Sequence, residues 1–269
     1  MRVVVTRPER EAQRWVRELR ALGLVAQALP LIEIAAIEDR SALQAAARAI
    51  GQYVGVMFVS GPAVEHFFSS NPDLGLEFSA QHAIQTRAWA TGPGTARALL
   101  AAGVAPERID SPSGKVGQFD SEALWALVRR QVHHADRVLI VRGTEHGSSG
   151  SADPGNGRDW FAGQVRQLGA IAEFVAAYTR RAPKLSRQDL DLACECASDG
   201  SVWLFTSSQA LANLLTLVPD LSWKRARALA THPRIAQSAR EAGFGQVQHS
   251  RATPADVAMA LEQHFKMAR

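Results

Sequence analysis

Arg87-Ala88-Trp89-Ala90-Thr91-Gly92-Pro93 runs on through Ala96 to Ala102-Gly103. Later in the chain, Arg227-Ala228-Leu229-Ala230-Thr231-His232-Pro233 runs on through Ala236 to Ala242-Gly243 without a gap. Each copy reads as a short apolar strand, a turn holding Thr and Pro, a helix, and a glycine stop. Two further pairs support the match. Phe58-Val59-Ser60 with Ala63-Val64 recurs as Phe205-Thr206-Ser207 with Ala210-Leu211, and Val3-Val4-Val5-Thr6-Arg7-Pro8 recurs more loosely as Val138-Leu139-Ile140-Val141-Arg142-Gly143. The last pair is followed in each case by a helical pattern ending in Leu-Gly, at Leu22-Gly23 and Leu168-Gly169. The chain therefore reads as a duplicated αβ unit, each half supplying three similar strand-to-helix loops.

Hydrophobic spacing extends this pattern along the chain. Strands are expected over Val3–Thr6, Gly55–Val59, Ala88–Thr91, Val138–Val141, Val202–Phe205 and Arg227–Thr231. Extended stretches are expected over Ala26–Ile37, interrupted by Pro30, and over Ala172–Thr179. Helices are expected over Glu9–Leu22, Ser41–Ile50 with Ser41 as N-cap, Gly94–Ala102, Ser121–Val132, Trp160–Leu168, Arg187–Ser198, Gln209–Leu217, Arg234–Ala242 and Pro254–Phe265. The Gly-, Ser- and Asp-rich stretch Thr144–Asp159 reads as a mobile loop inserted in the second repeat. Alternating strands and helices imply parallel sheets with helices on both faces. Ligands of such sheets bind beyond the carboxyl ends of the strands. The repeated residues lie at those turns: Thr6–Pro8, Val59–Pro62, Thr91–Thr95, Val141–Gly143, Thr206–Ser208 and Thr231–Arg234. Each turn that opens a helix offers unpaired backbone N–H groups and a partial positive charge. A single Ser or Thr there could equally be an N-cap.

A length of 269 residues with 46% hydrophobic and 21% charged residues suits two modest globular domains. No apolar run is long enough for a membrane span. The N-terminus opens on a strand without a signal-peptide layout, so a cytoplasmic protein is expected. The net charge of +4 comes from dispersed Lys and Arg. No nucleic-acid-binding module accompanies it, and a small polyanionic ligand suits it equally well. Cys194 and Cys196 form a C-x-C pair without a further Cys or His cluster, a weak metal signal, and read as free thiols. His133-His134 reads as surface. There is no P-loop and no G-x-S-x-G elbow. Gly92-Pro93-Gly94-Thr95-Ala96 lacks the spacing of a dinucleotide loop. Neither a metal nor a cofactor is expected.

Taken in order, the short motifs resemble the uroporphyrinogen-III synthase family over essentially the whole chain. They are Val-Thr-Arg-Pro at 5–8, Leu-Pro-Leu-Ile at 29–32, Phe-Val-Ser at 58–60 before Ala63-Val64-Glu65, and Ala-Thr-Gly-Pro-Gly-Thr-Ala at 90–96. Val-Arg-Gly at 141–143, Gly157-Arg158, Tyr178, Phe-Thr-Ser-Ser at 205–208 and Ala-Thr-His-Pro-Arg-Ile-Ala at 230–236 complete the set. The resemblance implies an α/β protein of two similar flavodoxin-like domains, each a parallel sheet flanked by helices. One domain would be 1–33 plus 179–269 and the other 37–175, joined by extended linkers at 32–36 and 176–180 across a wide, movable cleft.

The same resemblance implies a reaction: hydroxymethylbilane closes to a macrocycle with loss of water and inversion of the last pyrrole ring. That chemistry needs a donor for the leaving hydroxyl, a means of holding the azafulvene cation, and control of how the two ends meet. By resemblance Tyr178 is the proton donor. Ser60, Thr95 and Ser207 bind acetate and propionate groups with the neighbouring Gly61, Thr91, Gly92, Gly143, Thr206 and Ser208. Arg7, Arg142 and Arg158 supply fork-like carboxylate binding. The second loop departs from the family's Gly-Pro-x-Thr pattern, reading His232-Pro233-Arg234-Ile235, so the hydroxyl expected at 235 is missing. His232 or Arg234 is the candidate replacement, and His232 also reads as a capping or packing residue. The expected protein is a cytoplasmic monomer with a transient hand-over from the hydroxymethylbilane-producing enzyme and no nucleic-acid or membrane partner. The rival readings are a non-catalytic hinged two-domain small-ligand-binding protein and a nucleotide-sugar transferase. The first lacks a signal peptide here, and the second lacks a phosphate loop.

Overall fold

The computed structural model describes residues 1–71, 74, 78, 85–112, 121–145 and 157–265, the side chains of 157 and 158 excepted. In chain order, the first half of these residues forms β1 (Arg2–Val5), α1 (Glu9–Ala21), β2 (Val25–Ala28), β3 (Glu33–Ala36), α2 (Ser41–Arg48), β4 (Gly55–Phe58), α3 (Gly61–Ser69), β5 (Arg87–Ala90), α4 (Pro93–Ala101), β6 (Ile109–Asp110) and α5 (Ser121–Val128). There follow β7 (Arg137–Glu145), α6 (Gly157–Gln167), β8 (Ile171–Arg181), α7 (Arg187–Cys196), β9 (Val202–Phe205), α8 (Ser208–Leu217), β10 (Arg227–Ala230), α9 (Pro233–Glu241), β11 (Gln246–His249) and α10 (Pro254–His264).

The chain divides into two compact units, Met1–Glu33 with Arg181–Arg269, and Ile34–Arg180. The first unit holds a sheet in the order β11-β10-β9-β1-β2, with every pair parallel. The second is built on the order β3-β8-β7-β4-β5-β6, parallel from β8 to β6. Matching β1 with β7, β2 with β8, β9 with β4, β10 with β5 and β11 with β6 carries one strand order onto the other. That is the correspondence expected from the sequence repeats. In each sheet the order reverses once, between β9 and β1 and between β4 and β7, where doubly wound sheets open a crevice.

The repeat extends to how the helices stop. Gly103 and Gly243 take φ of 89° and 88°, a left-handed conformation that costs a glycine nothing. Each sits in the same pair of bonds: Gly103 N–H to Leu100 O with Val104 N–H to Leu99 O, and Gly243 N–H to Arg240 O with Phe244 N–H to Ala239 O. These are Schellman closures. The Leu-Gly stops at 23 and 169 close their helices in the same way.

Both faces of the central strands are buried, as parallel strands require. Val56 and Phe58 point into a cluster with Phe67, Phe68 and Leu99, while Met57 points the other way, toward Trp89, Trp125 and Phe161. In the first unit Val3 and Val5 pack with Trp15, Leu19 and Leu261.

Several elements differ from expectation. Ser41 is the first helical residue of α2 rather than its cap. Arg40 occupies the cap without a side-chain bond, and Asp39 Oδ1 accepts the Ser41 N–H instead. Thr144 and Glu145 continue β7, and Asp159 lies in α6, so a loop over Thr144–Asp159 is too long at both ends; 146–156 lie outside the described residues. The helix from Ser121 ends at Val128, and Arg129–Gln131 is a 3-10 turn. Residues 33–36 form β3, and 176–180 fall within β8. The short polar strands β6 and β11 close the sheets at one edge.

Candidate active site

Ser60 lies two residues past β4 in an extended conformation and N-caps α3, its Oγ accepting the Ala63 N–H at 3.3 Å. Pro62 sits in the first turn of that helix, where a missing N–H costs nothing. On the neighbouring side of β7, β8 carries an irregularity: Arg142 pairs with Ala176, but Gly143 pairs with Tyr178. The extra residue, Ala177, resets the alternation of the strand, so Ala177 and Tyr178 are both buried. Tyr178 is thereby turned inward across β7, toward Ser60. Gly143 makes room, since a Cβ there would stand 2.4 Å from the Tyr178 ring.

The phenol oxygen has two partners among the described residues. Arg180 Nη2 donates to it at 3.0 Å, and Ser60 Oγ lies 3.1 Å away. A guanidinium can only donate. Either hydroxyl of the pair can be the donor, and Ser60 Oγ is the acceptor open to the phenol's own hydrogen among the described residues. With the phenol as donor, the order of donation is Arg180 to Tyr178 to Ser60. The His66 ring stacks on Tyr178 with centroids 5.8 Å apart. Burial holds the His66 imidazole below its ordinary value; Glu65 opposes the shift and Arg40 adds to it. Burial therefore favours the neutral form of the ring on the phenol face.

Other expected residues of this unit lie at the same sheet edge. Thr91 Oγ1 donates to Val59 O at 3.3 Å, tying the turn after β5 to the turn after β4. Gly92 N-caps α4 in an extended conformation without a side-chain bond, and Thr95 is buried in its first turn. The Arg142 guanidinium rests on the Phe174 ring, 4.5 Å from its centroid. The side chain of Arg158 lies outside the described residues.

In the first unit Thr6 Oγ1 donates to Leu204 O at 2.8 Å, drawing the ends of β1 and β9 together. Arg7, the repeat partner of Arg142, also rests on an aromatic ring, 4.6 Å from the Trp15 centroid, and pairs with Glu11 at 2.6 Å. Thr206 is half-buried at the end of β9, and Ser207 caps α8, accepting the Gln209 N–H. Ser208 Oγ is buried with no partner among the described residues. The His232 Nδ1 accepts the Arg234 N–H at 3.1 Å and caps α9, so the ring is committed to the helix on one side and exposed on the other. Ile235, where the resemblance implies a hydroxyl, is buried.

The structure thus brings Ser60, Gly143 and Tyr178 into one contact group and adds two residues not expected there, Arg180 and His66. Arg180 carried a signal, since two residues along a strand share a face. His66 carried none, because its contact depends on how α3 packs on β7.

A family model described as uroporphyrinogen-III synthase HemD matches residues 13–258. The chain belongs to the uroporphyrinogen-III synthase family. It is 27% identical over 259 residues to the uroporphyrinogen-III synthase of Escherichia coli (strain K12), covering 92% of this chain and 94% of that one. It is 31% identical over 146 residues to that of Chlorobaculum parvum (strain DSM 263 / NCIMB 8327), covering 53% of each. In fold it is similar to uroporphyrinogen-III synthetase from Helicobacter pylori 26695, with a TM-score of 0.57 over 97% of this chain and 100% of that one, at 16% identity. With the family comes its activity, that of a cyclising lyase of haem biosynthesis. Among the described residues no helix is long and apolar enough to cross a membrane, and no group of three or more His, Cys, Asp or Glu could hold a metal ion.

Proposed function

We propose that the chain converts hydroxymethylbilane to uroporphyrinogen III, with Tyr178 as the source of the proton that leaves with the hydroxyl. The observation that carries this reading is the chain Arg180–Tyr178–Ser60 at the point where the strand order of the second sheet reverses. Heterolysis of the carbon–oxygen bond sends an electron pair to oxygen, which takes up a proton and departs as water. A phenol that gives up its proton becomes a phenolate, and the charged Arg180 donor stabilises that charge as it develops. The azafulvene cation left behind is attacked by the substituted pyrrole carbon of the last ring. The spiro intermediate so formed breaks its old bridge bond to give a second azafulvene cation, which the unsubstituted α-carbon of that ring attacks with loss of its proton, leaving the ring inverted.

The substrate's acetate and propionate groups are bound by the turns at Ser60–Gly61, Thr91–Thr95 and Thr206–Ser208 through backbone N–H groups and hydroxyls. Arg7 and Arg142, each laid on an aromatic ring, keep donors available for carboxylate oxygens, and His232 offers its outer nitrogen. Arg158 is a further carboxylate partner. The units 1–33 plus 179–269 and 37–175 act as two domains, and the protein works as a cytoplasmic monomer. Because the substrate cyclises unaided without inversion, a transient hand-over from its producing enzyme supports fidelity. The family match over most of the chain disfavours a non-catalytic binding protein.

Tyr178→Phe tests the reading. The folded variant is expected to lose at least about tenfold in turnover, the lower end of acid-catalytic effects. A folded variant at the wild-type rate reduces Tyr178 to a packing residue.

A further inference from the structure

We propose that Ser60 hands the proton to the departing hydroxyl, that Tyr178 refills Ser60 from behind, and that Arg180 is the positioning residue that fixes this direction; the inference rests on the proposed role of Tyr178 as proton source. Tyr178 is 1% exposed, too enclosed to meet a substrate oxygen directly, whereas Ser60 is half-buried in the turn after β4. Arg180 occupies the phenol oxygen from one side at 3.0 Å, and Ser60 Oγ stands 3.1 Å away on the other. Arg180 cannot accept, so among the described residues the phenol's own hydrogen has Ser60 Oγ as its acceptor, and in the relay every hydrogen points from Arg180 toward Ser60. The Ala63 N–H donates to the same Ser60 oxygen, so the hydrogen of that hydroxyl is free to point outward. Gly143 beneath the ring and His66 stacked on it hold the phenol in line.

The step balances. The substrate carbon–oxygen bond breaks with its electron pair going to oxygen. That oxygen takes the Ser60 hydrogen and leaves as water. Ser60 Oγ takes the Tyr178 hydrogen, and Tyr178 remains as a phenolate against the Arg180 charge. After the spiro intermediate reopens to a second azafulvene cation and the unsubstituted α-carbon of the last ring bonds to it, that carbon sheds its proton, which returns through Ser60 to Tyr178 and restores the starting state.

Ser60 also caps α3, so the test separates the two roles. Ser60→Asn keeps a capping oxygen but cannot take one proton while giving another. Ser60→Thr keeps both functions. In single-turnover cyclisation of hydroxymethylbilane, Ser60→Asn is expected to lose at least about tenfold with an unfolding midpoint near that of wild type. Ser60→Thr is expected to recover most of the loss. Adding Tyr178→Phe to Ser60→Asn is expected to cost less than about twofold more, because a relay broken at one link is already broken. The wild-type rate plotted against deuterium fraction should curve, reporting two protons in motion, and Arg180→Gln should lower kcat with little change in KM. If Tyr178→Phe is slow and folded Ser60→Asn runs at the wild-type rate, delivery is direct and the relay is wrong while the role of Tyr178 stands. If both run at the wild-type rate, the underlying reading fails with it. Should Ser60→Asn not fold, the wild-type deuterium plot decides, and a straight line overturns the relay.

Discussion

Gly143 lies directly against Tyr178: a Cβ at 143 would stand 2.4 Å from ring carbons Cε2 and Cζ and 2.9 Å from the hydroxyl oxygen. The β8 irregularity that pairs these two residues also aims the phenol at Ser60. Position 143 therefore sets where the Tyr178 phenol sits.

Gly143→Ala is expected to lower stability by about 1–3 kcal/mol, as overpacking does. It should slow cyclisation at least as much as Tyr178→Phe. In a Tyr178→Ala background the stability cost should vanish, because the atoms that clash are gone. Chemical unfolding of the four proteins of the cycle measures this, and an undiminished cost in the double variant would show that the Gly143 contact is with something else.

Glu173 belongs to a different cluster, at the amino-terminal end of the same sheet. Arg137 Nε donates to it at 2.7 Å and Tyr53 Oη at 3.1 Å, and Arg137 lies over the Tyr53 ring. The Arg137 hydrogen bond holds the Glu173 carboxyl below its ordinary value of 4.5, against the opposing effect of burial. With a depressed folded value, the stability it contributes is present above pH 4.5 and is lost as pH falls through that folded value. The difference in unfolding free energy between wild type and Glu173→Gln is expected to be constant from pH 7 to about 5 and to shrink below pH 4.5. A difference that grows on acidification would contradict the assignment.

How much of this was legible beforehand depends on the kind of residue. The strands that repeat, such as Phe58 with Phe205 and Arg87 with Arg227, are short apolar runs followed by hydroxyl-bearing turn residues, so local pattern sufficed to place them and to class the fold. Ile109–Asp110 and Gln246–His249 have no such run; they are strands only because a neighbour offers them a ladder. At the candidate site the loops were visible as hydroxyl, Gly and Pro residues, and Arg180 shares a strand face with Tyr178, whereas the direction of that face was not visible. It depends on Ala177, an extra residue in β8, a feature of pairing that a single strand's sequence does not encode.

At position 235, where the family pattern would put a hydroxyl, Ile235 is 5% exposed and packed. Ile235→Thr is expected to cost about 1–3 kcal/mol through lost packing and a newly buried hydroxyl. It should not raise the cyclisation rate. An increase in kcat with intact stability would show that a hydroxyl there reaches the substrate.

Arg142→Met is expected to raise KM about tenfold with a smaller change in kcat, the scale of one charge-assisted bond lost. Arg7→Met should do less, because Glu11 already holds that guanidinium. Both effects should shrink as salt is raised, since neither group is fully buried. Salt-independent losses of kcat alone would place these arginines in the chemistry rather than in binding.

The isomer of the product tests the account most directly. Hydroxymethylbilane is generated in place by its producing enzyme, the purified protein is added with chelator and without nucleotide, and the oxidised products are separated. The account predicts isomer III, formed in proportion to the protein added. Isomer I alone, as in the protein-free control, would contradict it.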